Sequence, residues 1–280
     1  MTEEHSLEAR VTIARRFASA FAESPEVIGA AAGGSIGLGL ADRYSDVDLA
    51  VVCRGHSWVP AEFRIRAYSR VASGGALELD VLGPGTFDAM EVDGIRVEVE
   101  FHCYQPLRDA LAELESPPTD AWRRRPPYEQ HGYAVLSMLR YWRVLSDASD
   151  ALAALVRAAA LPPALRRQVL EQGSFLRDPH LLYEHERACL RGDSHYALHC
   201  QGRLLDHFTQ IAFALANEVY PGDKWIWQIL PRLALPAAVS EGLRELVEGA
   251  NECGPGLERK AELAKRVYRA LVAEVEKIRE

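Results

Sequence analysis

Cysteine is scarce in this 280-residue chain, and the five present, Cys53, Cys103, Cys189, Cys200 and Cys253, are scattered without a close C-x-x-C pair. An odd number at such spacing cannot form a disulfide framework, so reduced thiols with a packing role are expected. Also missing is any run of roughly 18 uncharged apolar residues, which leaves no candidate for a membrane-spanning helix. Glu3, Glu4, Glu8 and Arg10 precede the first apolar stretch, unlike a secretory leader, and a cytoplasmic location is expected. Positive charge is short as well: 32 Lys and Arg against 40 Asp and Glu leave a net charge of −8 and a pI near 5.7. That sign repels a polyanion, so nucleic acid is not expected as a partner. The one dense basic run, Arg123-Arg124-Arg125 before Pro126-Pro127, reads as a solvated loop. Internal repeats and low-complexity segments are absent from the sequence.

What is present is an ordinary globular composition, 48% apolar and 26% charged, sufficient for one large or two modest domains. Leu7, Val11, Ala14, Phe17, Ala18 and Phe21 recur at helical spacing and predict an amphipathic helix over 7–22, ended by Ser24-Pro25. An apolar strand over 27–32, a glycine-rich turn, a helical turn over 36–40 and a second strand over 47–52 follow. Next come a helix over 60–72, strands over 77–82 and 94–103, and Asp93-Gly94 as the hairpin turn joining 87–92 to the later strand. Residues 107–114 return to helix, the proline-rich stretch 116–127 marks a boundary, and a helix over 133–139 precedes a last strand over 142–146. From Asp150 onward the period is helical, interrupted at Pro162-Pro163, Asp178-Pro179, Gly192-Asp193, Pro221-Gly222 and Gly254-Pro255. The expected fold class is α+β: a small mixed β-sheet domain over residues 1–147, then an α-helical bundle domain over 148–280 that closes an acceptor cleft.

Chemistry concentrates in Gly33-Gly34-Ser35-Ile36-Gly37-Leu38-Gly39, ten residues ahead of Ser45-Asp46-Val47-Asp48-Leu49. Alternate residues of a strand share a face, so Asp46 and Asp48 project together while Val47 and Leu49 turn to the core. Two carboxylates on one face suit a hard divalent cation such as Mg²⁺, or two such ions about 3.5–4 Å apart. Glycines ahead of a helical turn let backbone N–H groups approach a phosphate chain closely. Either half alone is weak, whereas the pair, flanked by two apolar strands, is specific.

Gly34-Ser35 followed by Asp46-Val47-Asp48 resembles the signature of the DNA polymerase β-type nucleotidyltransferase superfamily. Within it the chain resembles the aminoglycoside and lincosamide nucleotidyltransferases, which join a small mixed sheet to a C-terminal helical domain. The motif covers Gly33 to Val52, and the order of elements agrees over most of the chain. The resemblance implies a third carboxylate on a neighbouring strand, and Arg96-Val97-Glu98-Val99-Glu100-Phe101-His102 supplies two on one face. Spacing leaves both open. Glu100 is ranked first as metal ligand, Glu98 as second ligand or as the base for the acceptor's proton, and Asp80 comes third.

The implied reaction is in-line attack by a hydroxyl of a small-molecule acceptor on the α-phosphorus of a nucleoside triphosphate, ATP by default. Two Mg²⁺ ions held by Asp46, Asp48 and Glu100 would offset the developing charge, with Gly34 and Ser35 holding the triphosphate. Lys224 resembles a lysine that some relatives supply to the β- and γ-phosphates; it reads equally as a surface lysine at a helix start. Ile36 departs from the basic or small polar residue common after the serine, which bears on triphosphate affinity and not on reaction type. An aminoglycoside- or lincosamide-like acceptor fits the net negative charge. Other readings are a protein side chain as acceptor, or a non-catalytic regulatory or antitoxin partner, against which the intact acids argue.

Rival motifs are weaker. The glycine order is G-x-x-G-x-G, not the dinucleotide G-x-G-x-x-G. Cys189, His195, His199 and Cys200 fit no strong zinc spacing. On the helix over 196–219, Leu198, Leu205, Phe208, Ile211 and Leu215 form the predicted apolar stripe, which leaves His195, His199 and His207 nearer the polar side. Trp225 and Trp227 read as packing aromatics ahead of base-stacking ones.

Overall fold

Residues 7–21 place their apolar side chains on one stripe and form α1 (Glu3–Phe21), whose Val11, Ala14, Phe17 and Phe21 are buried. The small and branched residues after it make β1 (Val27–Ala32) and β2 (Val47–Cys53), joined by the short helix α2 (Gly34–Gly37). Every residue of β1 is buried, and in β2 only Asp48 is half-exposed. Such strands are covered on both faces, which is why they read as continuous apolar runs. The computed structural model describes residues 3–55, 59–72, 77–80, 87–117, 132–171, 179–222, 224–248 and 256–279. The basic run at 123–125, most of the proline-rich boundary, Cys253 and the end of the strand expected over 77–82 lie outside the described residues.

After β2 come α3 (Ala61–Val71), β3 (Leu77–Glu78), β4 (Phe87–Val92), β5 (Ile95–Cys103) and α4 (Tyr104–Glu113). They are followed by α5 (Gly132–Arg140), β6 (Arg143–Asp147) and α6 (Ala151–Ala158). The six strands lie in the order β3-β4-β5-β2-β1-β6. Asp93 and Gly94 both take left-handed φ, 54° and 75°, as the tight hairpin between β4 and β5 requires. β2 and β5 run parallel, and such a pair needs the long crossover that α3, β3 and β4 provide.

Register partners share a face. Val47, Leu49, Val51 and Cys53 of β2 line up with Val97, Val99 and Phe101 of β5 under α1 and α3. Phe21 anchors this layer, its ring meeting Phe63, Tyr68 and Phe101. Truncating such a ring to Ala costs about 3–5 kcal/mol in a close-packed core. The opposite face of the same two strands carries Asp48, Ala50 and Val52 beside Glu98, Glu100 and His102.

The chain divides into two compact units, Met1–Glu113 with Arg125–Ala160, and Leu114–Arg124 with Leu161–Glu280. The second unit holds α7 (Pro163–Glu171), α8 (His180–Leu190), α9 (Ser194–Leu215), α10 (Ile226–Ile229), a 3₁₀ turn (Leu230–Arg232), α11 (Ala237–Glu248) and α12 (Gly256–Arg279). Asp193 starts α9 by accepting a hydrogen bond from the Tyr196 N–H at 3.0 Å. The buried row of α9 runs through Ala197, Cys200, Leu204, Phe208 and Ile211, whereas Leu198 is 47% exposed. Of the expected stripe, Phe208 and Ile211 are buried, while Leu205 and Leu215 are half-buried. Ala197 wins the inner position because it packs with Ala188, Cys189, Leu257 and Ala261, a small-residue seam that Leu198 would overfill. No described helix is long and apolar enough to cross a membrane.

Candidate active site

β1 delivers the chain into Gly33, whose N–H donates to the Asp48 carbonyl at 2.9 Å and ties the glycine turn to β2. Gly34 has φ +47°, and a Cβ there would stand 1.9 Å from Asp48 Oδ2. Only glycine permits that approach, so the turn and the acid are built against each other. The left-handed entry at Gly34 also starts α2 two residues earlier than the expected turn over 36–40. Ser35 is 4% exposed, and its Oγ has no hydrogen-bond partner. A buried hydroxyl left that way costs about 1–3 kcal/mol.

Ahead of β2, residues 42–45 close on themselves. Asp42 Oδ1 accepts from the Tyr44 N–H and the Ser45 hydroxyl, each at 2.9 Å, and Ser45 Oγ accepts from the Asp42 N–H at 3.0 Å. The bond from the Tyr44 N–H holds the Asp42 carboxyl below the usual carboxylate range. Asp46 follows directly, one residue before β2 begins.

Among the described residues, carboxylate oxygens of Asp46, Asp48 and Glu98 lie within 4.8 Å of one another. The acid that joins Asp46 and Asp48 in this group is Glu98, whereas Glu100, ranked first from the sequence, is not part of it. Glu98 is the direct parallel partner of Asp48, while Glu100 pairs with Ala50, roughly 6.5–7 Å further along the strand. Glu100 instead accepts a hydrogen bond from His102 Nε2 at 3.2 Å, and that bond lowers its pKa. Asp80 lies elsewhere. Its carboxylate takes a 2.9 Å hydrogen bond from Arg64, and its N–H donates to Asp88, which pairs with Val99 on the face covered by α1 and α3.

Arg96 Nε donates to Glu98 Oε1 at 2.7 Å from an exposed position. His102 is buried against Trp142 with ring centroids 5.4 Å apart, and the Trp142 indole nitrogen stands 3.4 Å from where a Cβ on Gly33 would be. Three oxygen donors gathered this closely, beside a glycine turn that holds an unpartnered buried hydroxyl, fit a hard divalent cation with its phosphate ligand.

Lys224 belongs to the second unit, exposed just before α10. Beside it Trp225 has φ 66°, and Trp227 is 36% exposed. His195 and His199 face solvent, with Tyr196 stacked on His199, whereas Cys189 and Cys200 are buried. Arg10, which carries no motif, is 5% exposed and donates Nε to the Ser45 carbonyl at 2.6 Å and Nη2 to the Arg43 carbonyl at 3.1 Å. Its signal was its phase: positions 10, 14, 17 and 21 share one side of a helix.

A family model described as a nucleotidyltransferase domain matches residues 14–104, the stretch that holds the glycine turn and all three acids. A second, described as a domain of unknown function, DUF4037, matches residues 131–226. No curated protein matches. Among solved structures, a nucleotidyltransferase-like protein from Exiguobacterium sibiricum 255-15 is 15% identical, covering 94% of this chain and 74% of that one with a TM-score of 0.42. Over residues 14–104 the chain matches a nucleotidyltransferase domain, the match expected from its motif's resemblance to the DNA polymerase β-type superfamily.

Proposed function

We propose that the protein transfers a nucleoside monophosphate, AMP from ATP in the first instance, to a hydroxyl of a small-molecule acceptor. The observation that carries this reading is the meeting of Asp46, Asp48 and Glu98 within 4.8 Å, with Asp48 Oδ2 occupying the space beside Gly34. Like charges this close repel unless a cation joins them, and these carboxylates would hold Mg²⁺, with room in the proposal for two ions sharing them. Bound metal supplies charge neutralisation at the phosphoryl oxygens and a lowered pKa for the attacking hydroxyl.

The chain's own groups do the rest. The bare backbone of the glycine turn and the Ser35 hydroxyl orient the triphosphate so that the leaving group lies in line. The acceptor oxygen bonds to the α-phosphorus as the bond to the bridging α–β oxygen breaks, and pyrophosphate leaves. The hydroxyl proton passes to a carboxylate of the same face, Glu98 being the one in register with Asp48. A net charge of −8 supports a cationic acceptor of aminoglycoside type, encountered in the cytoplasm.

The test is incubation with α-labelled ATP and Mg²⁺ against a panel of aminoglycosides, lincosamides and metabolites. A labelled small product matched by pyrophosphate release, both abolished by a chelator, is the expected result. Failure to bind ATP at saturating Mg²⁺ would overturn the reading, and label on protein alone would replace the small acceptor with a polypeptide one.

A further inference from the structure

Asp48 lies within β2, with Glu98 of β5 as its register partner on one side and, on the other, the Gly33 N–H donating to its carbonyl at 2.9 Å. Asp46 has no such support, because the ladder begins at Val47. A carboxylate that must meet two others within 4.8 Å then depends on whatever fixes the backbone just upstream. Arg10 of α1 is the group that does so. Arg10 is a buried residue, and its guanidinium donates to the carbonyls of both Arg43 and Ser45. The Ser45 carbonyl belongs to the same planar peptide unit as the Asp46 nitrogen, so fixing that oxygen fixes the plane from which Asp46 departs.

The surroundings support a role in presentation. Between the two anchored carbonyls, Tyr44 is 78% exposed and contributes nothing to the core. The ring of hydrogen bonds between Asp42 and Ser45 makes the segment stiff, but it does not connect the segment to the rest of the fold. Arg10 supplies that connection, from the same helical side that Ala14, Phe17 and Phe21 sink into the core. A planar fork with two donors reaching two carbonyls sets an orientation as well as a distance, which a single ammonium cannot do.

We infer that Arg10 is a positioning residue, which orients Asp46 for divalent cation binding by clamping the Arg43 and Ser45 carbonyls to α1. The inference rests on the nucleotidyltransferase reading of the acidic cluster and adds a residue outside its motif.

The test uses the full chain and Mn²⁺ alone as probe, with affinity read by isothermal titration and the stiffness of 43–46 by amide hydrogen exchange. Arg10→Met keeps the aliphatic stem and loses both bonds; Arg10→Lys keeps the charge and can restore one. Phe17→Leu serves as a packing control, compared with Arg10→Met by melting temperature. Arg10→Met is expected to weaken Mn²⁺ roughly tenfold and to speed exchange at 43–46, with Arg10→Lys intermediate and Phe17→Leu within about twofold of wild type. If Arg10→Met fails to fold, Arg10→Lys carries the test, with a measurable loss expected in the same two readouts. Wild-type Mn²⁺ affinity in the Arg10 variants, or an equal loss in Phe17→Leu, would overturn the inference. Absence of Mn²⁺ binding by the wild type, or undiminished binding by Asp46→Asn, removes the nucleotidyltransferase reading itself and takes the inference with it, a result distinct from failure of the clamp.

Discussion

The two faces of the β2/β5/β4 sheet each gather acidic side chains, and they treat them oppositely. Under α1 and α3, Asp88 is fully buried and matched inside the protein: both its oxygens accept from Arg64 Nη1, at 2.6 and 2.8 Å, and Tyr68 donates to it as well. On the other face Asp46, Asp48 and Glu98 are half-exposed and drawn together, with the exposed Arg96 beside Glu98. Carboxylates balanced by a built-in cation hold a fold together. Carboxylates concentrated at a partly open face would suit the cation proposed above, one that comes and goes.

The sharpest way to break this contrast is Asp48→Asn, expected to cost roughly a thousandfold or more in kcat while melting temperature stays near wild type, read by pyrophosphate release and circular dichroism. Retained turnover would put the open-face acids on the same footing as any surface pair. Arg64→Met should behave in reverse. It strands a fully buried Asp88 and should cost about 3–5 kcal/mol of stability in urea unfolding, with turnover of the surviving folded protein little changed.

Within the open face, Glu98→Gln should lose roughly a hundredfold in kcat and Glu100→Gln less than about tenfold, because only Glu98 stands in register with Asp48. The reverse ranking would return Glu100 to the ligand position. The smallest effect extends the contrast to the second unit, where His185 is fully buried beside Cys189 and burial lowers its pKa to about 4. Between pH 6.5 and 4 the unfolded chain takes up a proton that the folded chain refuses, so this stability is complete above pH 6.5 and is lost as pH falls. Urea unfolding of wild type between pH 7 and 4.5 should lose about 2–3 kcal/mol that His185→Leu does not lose.

Much of this is legible in the sequence. The glycine turn and Asp46-x-Asp48 carry their own signal, because a phosphate cradle and a strand with alternate acids each have a local pattern. The Glu98-or-Glu100 choice was not legible, for a physical reason. Two residues in a strand share a face, so both acids satisfy the alternation, and only the long-range register between β2 and β5 separates them. Asp80 was misplaced because the alternation near it carried no trace of Asp88 and Arg64, which turn it toward the opposite face. Arg10 was hidden by its chemistry: a charged residue on an amphipathic helix reads as solvent-facing, and its burial is sensible only once two carbonyls from a distant loop are known to meet it. The stripe of α9 slipped because apolar residues lie on more than one side of that helix, and the choice among them falls to the small residues of the neighbouring helices.

The parallel pairing of β2 with β5 has a consequence for how the protein comes into being. Asp48 and Glu98 are adjacent in space yet fifty positions apart in the chain, with a helix and two strands in between. At roughly 5–20 residues per second of synthesis, a nascent chain exposes its first two acids for several seconds before the third can be made. The complete acidic group therefore arises late, with the docking of β5, and a product truncated before that strand would carry the recognisable motif without a working centre.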